Sequence, residues 1–233
     1  MAALRADNDK TTTLQNHTTE NLEKVLRLLR RAEALEQEYL EWIGSLPSNW
    51  SIKTVAWIDG HIDDLAESMI HPGRLDAYRE LWMAYFHNTV RACRLYIWTT
   101  ILRCVAWISN LQDYRLSSEY ITASTVCRQL IEDIVSSVPF FFGWNRANNT
   151  AMADKSNFAC GINSDPSTQG LAGIFVMWPI FSAAASDFCL PSQRTYLRGR
   201  LRHIAEMIGI SQATILLQVS SIMLVILYHF TEI

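Results

Sequence analysis

Apolar residues fall at helical spacing along most of this chain. Over residues 19–43, Leu22, Val25, Leu29, Ala32, Leu35 and Tyr39 recur at three- and four-residue steps, which is the repeat of one helix face. Thr19 is placed to cap this helix and Gly44 to stop it. "SLPSNW" follows, and the pattern then weakens from Ser51 to Leu75, where Gly60, Pro72 and Gly73 fall. That stretch is expected to be mostly loop, with a short helix near 62–70. From Asp76 the pattern returns. Trp82, Phe86, Cys93, Ile97, Cys104 and Ile108 recur at four- and seven-residue steps. Further apolar residues fill the adjoining faces, so a helix over 77–109 is expected to be central and largely surrounded. A third helix is predicted from Ser118 to Val138, with Ile121, Cys127, Leu130, Ile131 and Ile134 inward and Pro139 ending it.

The segment from Phe140 to Gly173 is rich in Asn, Ser and Gly and reads as a long variable or disordered loop. Three helices then close the chain, at about 174–187, 193–208 and 211–229. In the second of these, Leu197, Leu201, Ile204 and Ile208 line one stripe, with Gly209 as its stop and Ser211 as the cap of the last helix. No period-two strand pattern is found. The fold class is therefore all-α, an irregular helical domain of about six main helices with long loops near 51–75 and 140–173. Residues 1–18 are expected to be a disordered tail and 19–233 a single domain.

Composition narrows what such a body does. Of the 233 residues, 49% are hydrophobic and 18% charged, so the chain is built to fold rather than to stay disordered. A net charge of -3 gives no general attraction to nucleic acid or to anionic membrane. The polar N-terminus lacks the apolar run of a secretory signal, so the sequons at Asn16, Asn49 and Asn148 read as chance matches. Cys93, Cys104, Cys127, Cys160 and Cys189 include no Cys-x-x-Cys pair, which excludes a zinc ribbon or a thioredoxin-type centre. Cys93 and Cys104, if on one helix, stand about 16 Å apart and cannot bridge each other. Reduced, buried thiols in an intracellular protein are expected.

Catalytic signatures are missing. The chain holds no Gly-x-Ser-x-Gly, His-Glu-x-x-His, phosphate loop or dinucleotide fingerprint. "DGHIDD", from Asp59 to Asp64, clusters potential metal ligands, but it reads more simply as a solvated acidic loop. His87 reads as a hydrogen-bonded structural histidine rather than a general base. Arg194, Arg198, Arg200 and Arg202 form a basic cluster that could touch phosphates; its plainer reading is the solvated face of a helix. From Met207 to Thr231 no charged residue occurs, a length able to cross a bilayer. Ser211, Gln212, Gln218, Ser220, Ser221 and His229 interrupt it and no Lys or Arg follows it. A buried closing helix is favoured, with a tail anchor over 212–229 as the alternative.

Four segments, in order, resemble the regulatory region of fungal zinc binuclear cluster transcription factors, the middle-homology type of fungal-specific transcription factor domain. "LEQEYLEWIGSLPSNW" looks like its helix and Leu-Pro-x-x-Trp turn, here Leu46, Pro47 and Trp50. "LWMAYFHNTVRACRLYI" looks like its long helix, with Trp82, Arg91 and Arg94, and "IEDIVSSVPFFFG" like its Ser-Val-Pro turn at Pro139. "WPIFSAAASDFCLPSQRTYLRGRLRHIAEMIGISQATIL" supplies Trp178-Pro179, an Arg-bearing helix with Arg198, then Gly209 and Gln212. Read as packing, Trp178 is a buried anchor, Pro179 sets an entry angle and the alanines allow close helix approach. The likeness spans roughly residues 25–220.

The resemblance implies a non-catalytic, nuclear effector-response domain that regulates transcription by RNA polymerase II. Its expected partners are the transcription machinery or regulatory proteins, a small-molecule effector, or a second copy as a homodimer. It assigns no catalytic or metal-binding residue and names no cofactor site. Zinc belongs to the family's DNA-binding cluster, and residues 1–92 contain no cysteine, so direct sequence-specific DNA binding by this chain is not expected. Three other readings stay open: a tail-anchored helical protein, a degenerate fragment, and a helical enzyme whose groups converge only in the fold.

Overall fold

The computed structural model describes residues 4, 7–8, 16–110, 112–143 and 166–219 (166–168 by backbone alone). The chain divides into two compact units, one from Met1–Leu46 with Cys93–Leu130 and the other from Pro47–Ala92 with Ile131–Ile233. The architecture is mainly α. In chain order the elements are α1 (Thr19–Gly44), β1 (Lys53–Ile58), β2 (Gly73–Ala77), α2 (Leu81–Ser109), α3 (Ser118–Phe141), α4 (Pro166–Ala184) and α5 (Pro191–Glu206); residues 211–219 are also helical and are called α6.

In the first unit, α1 starts where the Thr18 hydroxyl accepts the Asn21 N–H at 3.2 Å, satisfying one of the donors a helix start leaves free. The cap is therefore Thr18, one residue before Thr19. Val25, Leu28 and Ala32 are buried together with Ile97, Ile101, Cys104 and Val105 of α2, and each large side chain so buried contributes about 1.5–3 kcal/mol. Leu22, expected inward, is 37% exposed.

In the second unit, β1 and β2 pair antiparallel, with an irregularity between Thr54 and Ala56. This hairpin corrects the expected loop over 51–75. Its signal is weak because β1 alternates poorly, and Trp57 is 63% exposed. Gly73, at φ 118°, adopts a backbone that side-chain-bearing residues rarely reach. α4 packs on α5, with Gly173 against Ile204, Ile208 and Ile210. After α5, Gly209 turns left-handed at φ 83°. The Ile210 N–H thereby reaches back to the Ile204 carbonyl at 3.1 Å.

Two prolines differ from expectation. α3 runs through Pro139 to Phe141, and α4 runs through Pro179 from a start at Pro166 rather than 174. Each ring removes one helical N–H, yet both helices continue through it; Pro139 stands two residues before the end of α3, and both prolines are buried. Residues 144–165 and 220–233, and with them Cys160 and most of the apolar tail, lie outside the described residues.

Candidate functional site

A buried polar cluster of the second unit joins β2, the first turns of α2 and the end of α3. β2 contributes Arg74 and Asp76, followed by Tyr78. The first turns of α2 present Asn88 and Arg91, three residues apart on one face, and α3 presents Asp133, Ser136 and Ser137 at the matching helical spacing. Arg74 Nη2 donates to Asp133 Oδ1, and Arg74 Nε lies 3.2 Å from Asp76 Oδ2. The Ser136 hydroxyl donates to Asp76 at 2.8 Å. Arg91 donates to the Tyr78 hydroxyl and to Asn88 Oδ1, both at 2.7 Å, and lies 3.9 Å from Asp133. Asn88 donates to Ser137 Oγ at 2.7 Å.

Two guanidinium groups thus face two carboxylates, and the cluster is close to neutral. Burial pushes Arg74 down, but the hydrogen bond to Asp133 and the charges of Asp76, Asp133 and Glu132 together raise it. Burial raises Tyr78 despite the opposing Arg91 charge. His87 Nε2 sits 3.2 Å from the Trp50 carbonyl, and burial, aided by the Arg91 charge, lowers its pKa below 6.5. The serine hydroxyls donate to a carboxylate and to backbone carbonyls instead of meeting a base. The arrangement holds charge and fixes helix positions.

A second feature of this unit binds the 59–72 connection to α5. Tyr196 donates to the Met69 carbonyl at 3.1 Å, and Arg200 to the Ala66 carbonyl at 3.0 Å with a contact to Met69 Sδ. A Cβ added at Gly199 would lie 1.9 Å from the Ala66 oxygen, so only glycine allows this approach. Arg200 is 2% exposed, and burial lowers its pKa. This corrects the reading of the basic cluster as one solvated face. Arg194 is likewise engaged, donating to the Ala184 and Ser186 carbonyls at 3.1 and 2.9 Å; Arg202 stays half-exposed opposite Glu67. "DGHIDD" lies in the same connection, with His61 and Asp63 exposed, and no metal-holding cluster occurs among the described residues.

In the first unit, the Glu36 carboxylate accepts Arg94 Nη2 at 2.6 Å, Arg94 Nε at 3.0 Å and Trp98 Nε1 at 3.0 Å. The guanidinium meets it fork to fork, the strongest form of such a pair. Burial pushes the Cys104 and Cys127 thiols up, to about 11 and about 12.

The residues singled out by sequence are dispersed. Trp50 and Trp82 meet edge to face with centroids 4.9 Å apart, Arg91 joins the polar cluster, and Arg94 pairs with Glu36. Leu46 is half-buried, Pro47 exposed, Pro139 and Pro179 buried, Arg198 half-buried, and Gly209 and Gln212 exposed. Trp178 is 51% exposed, against its expected role as a buried anchor. It touches Phe181 edge to face, while Val176, Met177 and Ile180 take the inward side of α4. Trp82, Phe86 and Ile108 are also more than a third exposed, and Ile121 is 61% exposed. Ile121 stands two residues, about 200° of rotation, from the buried Ala123. Sequence reasoning missed Glu36, Asp76, Asn88 and Asp133. For Glu36, Asn88 and Asp133 the available signal was a polar residue placed in step with the apolar face of its helix; Asp76, on the short strand β2, carried none.

A search of curated proteins finds a relative in the transcription factor dbaG of Emericella nidulans, 24% identical over 197 residues. The match covers 83% of this chain and 44% of the relative. The chain is similar to a fungal transcription factor. It spans less than half of that relative's length. No family model and no solved structure matches the chain. Among the described residues, no helix is long and apolar enough to cross a membrane.

Proposed function

We propose that residues 19–233 act as a regulatory region of the fungal zinc binuclear cluster type, working in the nucleus without chemistry of their own. The observation that carries this reading is the similarity to a fungal transcription factor over 83% of the chain. The Leu-Pro-x-x-Trp, Ser-Val-Pro and Trp-Pro segments support it. So does the character of the buried polar clusters, whose groups are spent on one another and on backbone rather than aimed at a substrate. Regulation of this kind needs only two states of a helical framework and a partner or small molecule that binds them unequally. DNA reading and zinc are assigned elsewhere than these residues.

The test is to fuse the whole chain to an unrelated DNA-binding domain in a fungal host and to measure reporter output across nutrient and inducer conditions. Output differing from that of the DNA-binding domain alone supports the proposal. A well-expressed nuclear fusion that matches the control under every condition sinks it.

A further inference from the structure

We propose that the first unit carries a binding site for a small amphipathic carboxylate, its apolar body in a cavity of α1 and α2 and its acid group on Arg103. The cavity measures about 490 Å³, within the roughly 300–1,000 Å³ of small-molecule sites. Its walls are mostly apolar: Val25 and Leu28 from α1, with Cys104, Ala106 and Trp107 from α2. The raised Cys104 thiol stays neutral at physiological pH, so that wall behaves as a small apolar surface. Asn8, 1% exposed, adds a polar group fixed by its hydrogen bond to the Tyr96 hydroxyl at 3.1 Å.

Arg103 is the charged group of the lining. Its side chain is exposed and has no hydrogen-bond or ion-pair partner among the described residues. Two other arginines of this unit are paired, Arg94 with Glu36 and Arg31 with Asp7; Arg103 is the arginine that lines the cavity. One free guanidinium beside an apolar cavity matches one negative charge on an apolar body. Its planar fork fits a carboxylate, while a phosphate dianion would leave a charge unbalanced. Glu33, whose charge reaches Cys104, is exposed and screened by water. Such a ligand would tie α1 to α2 and favour whichever state of the unit keeps them together.

The inference deepens the regulatory reading and rests on it for its biological sense. The binding test involves no transcription, so the two fail separately. Purified whole chain is titrated calorimetrically with decanoate and with decan-1-ol as probes. Saturable one-to-one binding of decanoate is expected. Arg103→Gln should weaken decanoate about tenfold, as loss of a charge-assisted bond does, and leave decan-1-ol unchanged. Ala106→Phe, which fills the cavity, should abolish both; melting curves confirm that each variant is folded. If Ala106→Phe does not fold, the exposed Arg103→Gln variant decides alone. Absence of saturable decanoate binding, or equal decanoate affinity in Arg103→Gln, overturns the proposal.

Discussion

Arg94 in the first unit and Arg200 in the second are both shielded from water, at 13% and 2% exposure, but they keep different company. Arg94 meets the two oxygens of one carboxylate, and Trp98 donates a third bond to the same group. Arg200 is held by a backbone carbonyl and a thioether. Desolvating a guanidinium is costly in either place. In the first unit the cost is offset by an opposite charge, so removing one partner strands the other. In the second no buried counter-charge faces Arg200 among the described residues, and what Arg200 secures is the path of the 59–72 connection. Burial of an arginine therefore says little about its contribution until its partner is known.

Arg94→Met should have the largest effect. It leaves Glu36 buried with Trp98 as its remaining donor and should cost about 3–5 kcal/mol in chemical denaturation. The double variant Glu36→Leu with Arg94→Met should recover most of that loss. A single-variant cost under about 1 kcal/mol would dissolve the contrast between the two arginines.

Gly199→Ala comes next. A methyl 1.9 Å from the Ala66 oxygen forces the connection off α5, at a cost of about 1–3 kcal/mol. Faster proteolysis near Ala66 should accompany it, and an unchanged melt would mean that the connection does not lie on α5 in solution. Arg200→Met removes the charge but keeps apolar bulk. The lost bond to the Ala66 carbonyl and the relieved desolvation oppose each other, so a change of about 1 kcal/mol or less is expected. A cost as large as that of Arg94→Met would reveal a counter-ion for Arg200. Trp178→Ala should do least, under about 1 kcal/mol, because half of the ring already faces water. A core anchor would cost about 3–5 kcal/mol, so denaturation separates the two cleanly.

The helices were readable because their apolar residues repeat. Val25 and Ala32, Leu130 with Ile131 and Ile134, and Leu197 with Leu201 and Ile204 all fall inward as their spacing requires. The hairpin was not readable, since its strands are short and partly exposed and its pairing is non-local. The inward face of α2 was only partly readable: apolar residues surround that helix, so spacing does not choose between Trp82, which faces water, and Ala84, which does not. Arg200 escaped for another reason. Four arginines in one segment look alike in sequence, and only Gly199, which lets the Ala66 backbone come close, marks which of them is covered. The cavity beside Arg103 gave no sequence signal, because it is a gap between helices rather than a residue pattern.

The shielded thiols give the molecule built-in clocks. Cys104 and Cys127 belong to the first unit and Cys189 to the second, with pKa values pushed up to about 11, 12 and 11. Alkylating reagents attack the thiolate, so near neutral pH each sulfur stays silent until its surroundings open. Mass spectrometry can follow the three alkylation sites separately over time. Matching rates at all three would mean that both units open in a single event. Distinct rates would give each unit its own lifetime, read by chemistry the native chain already carries.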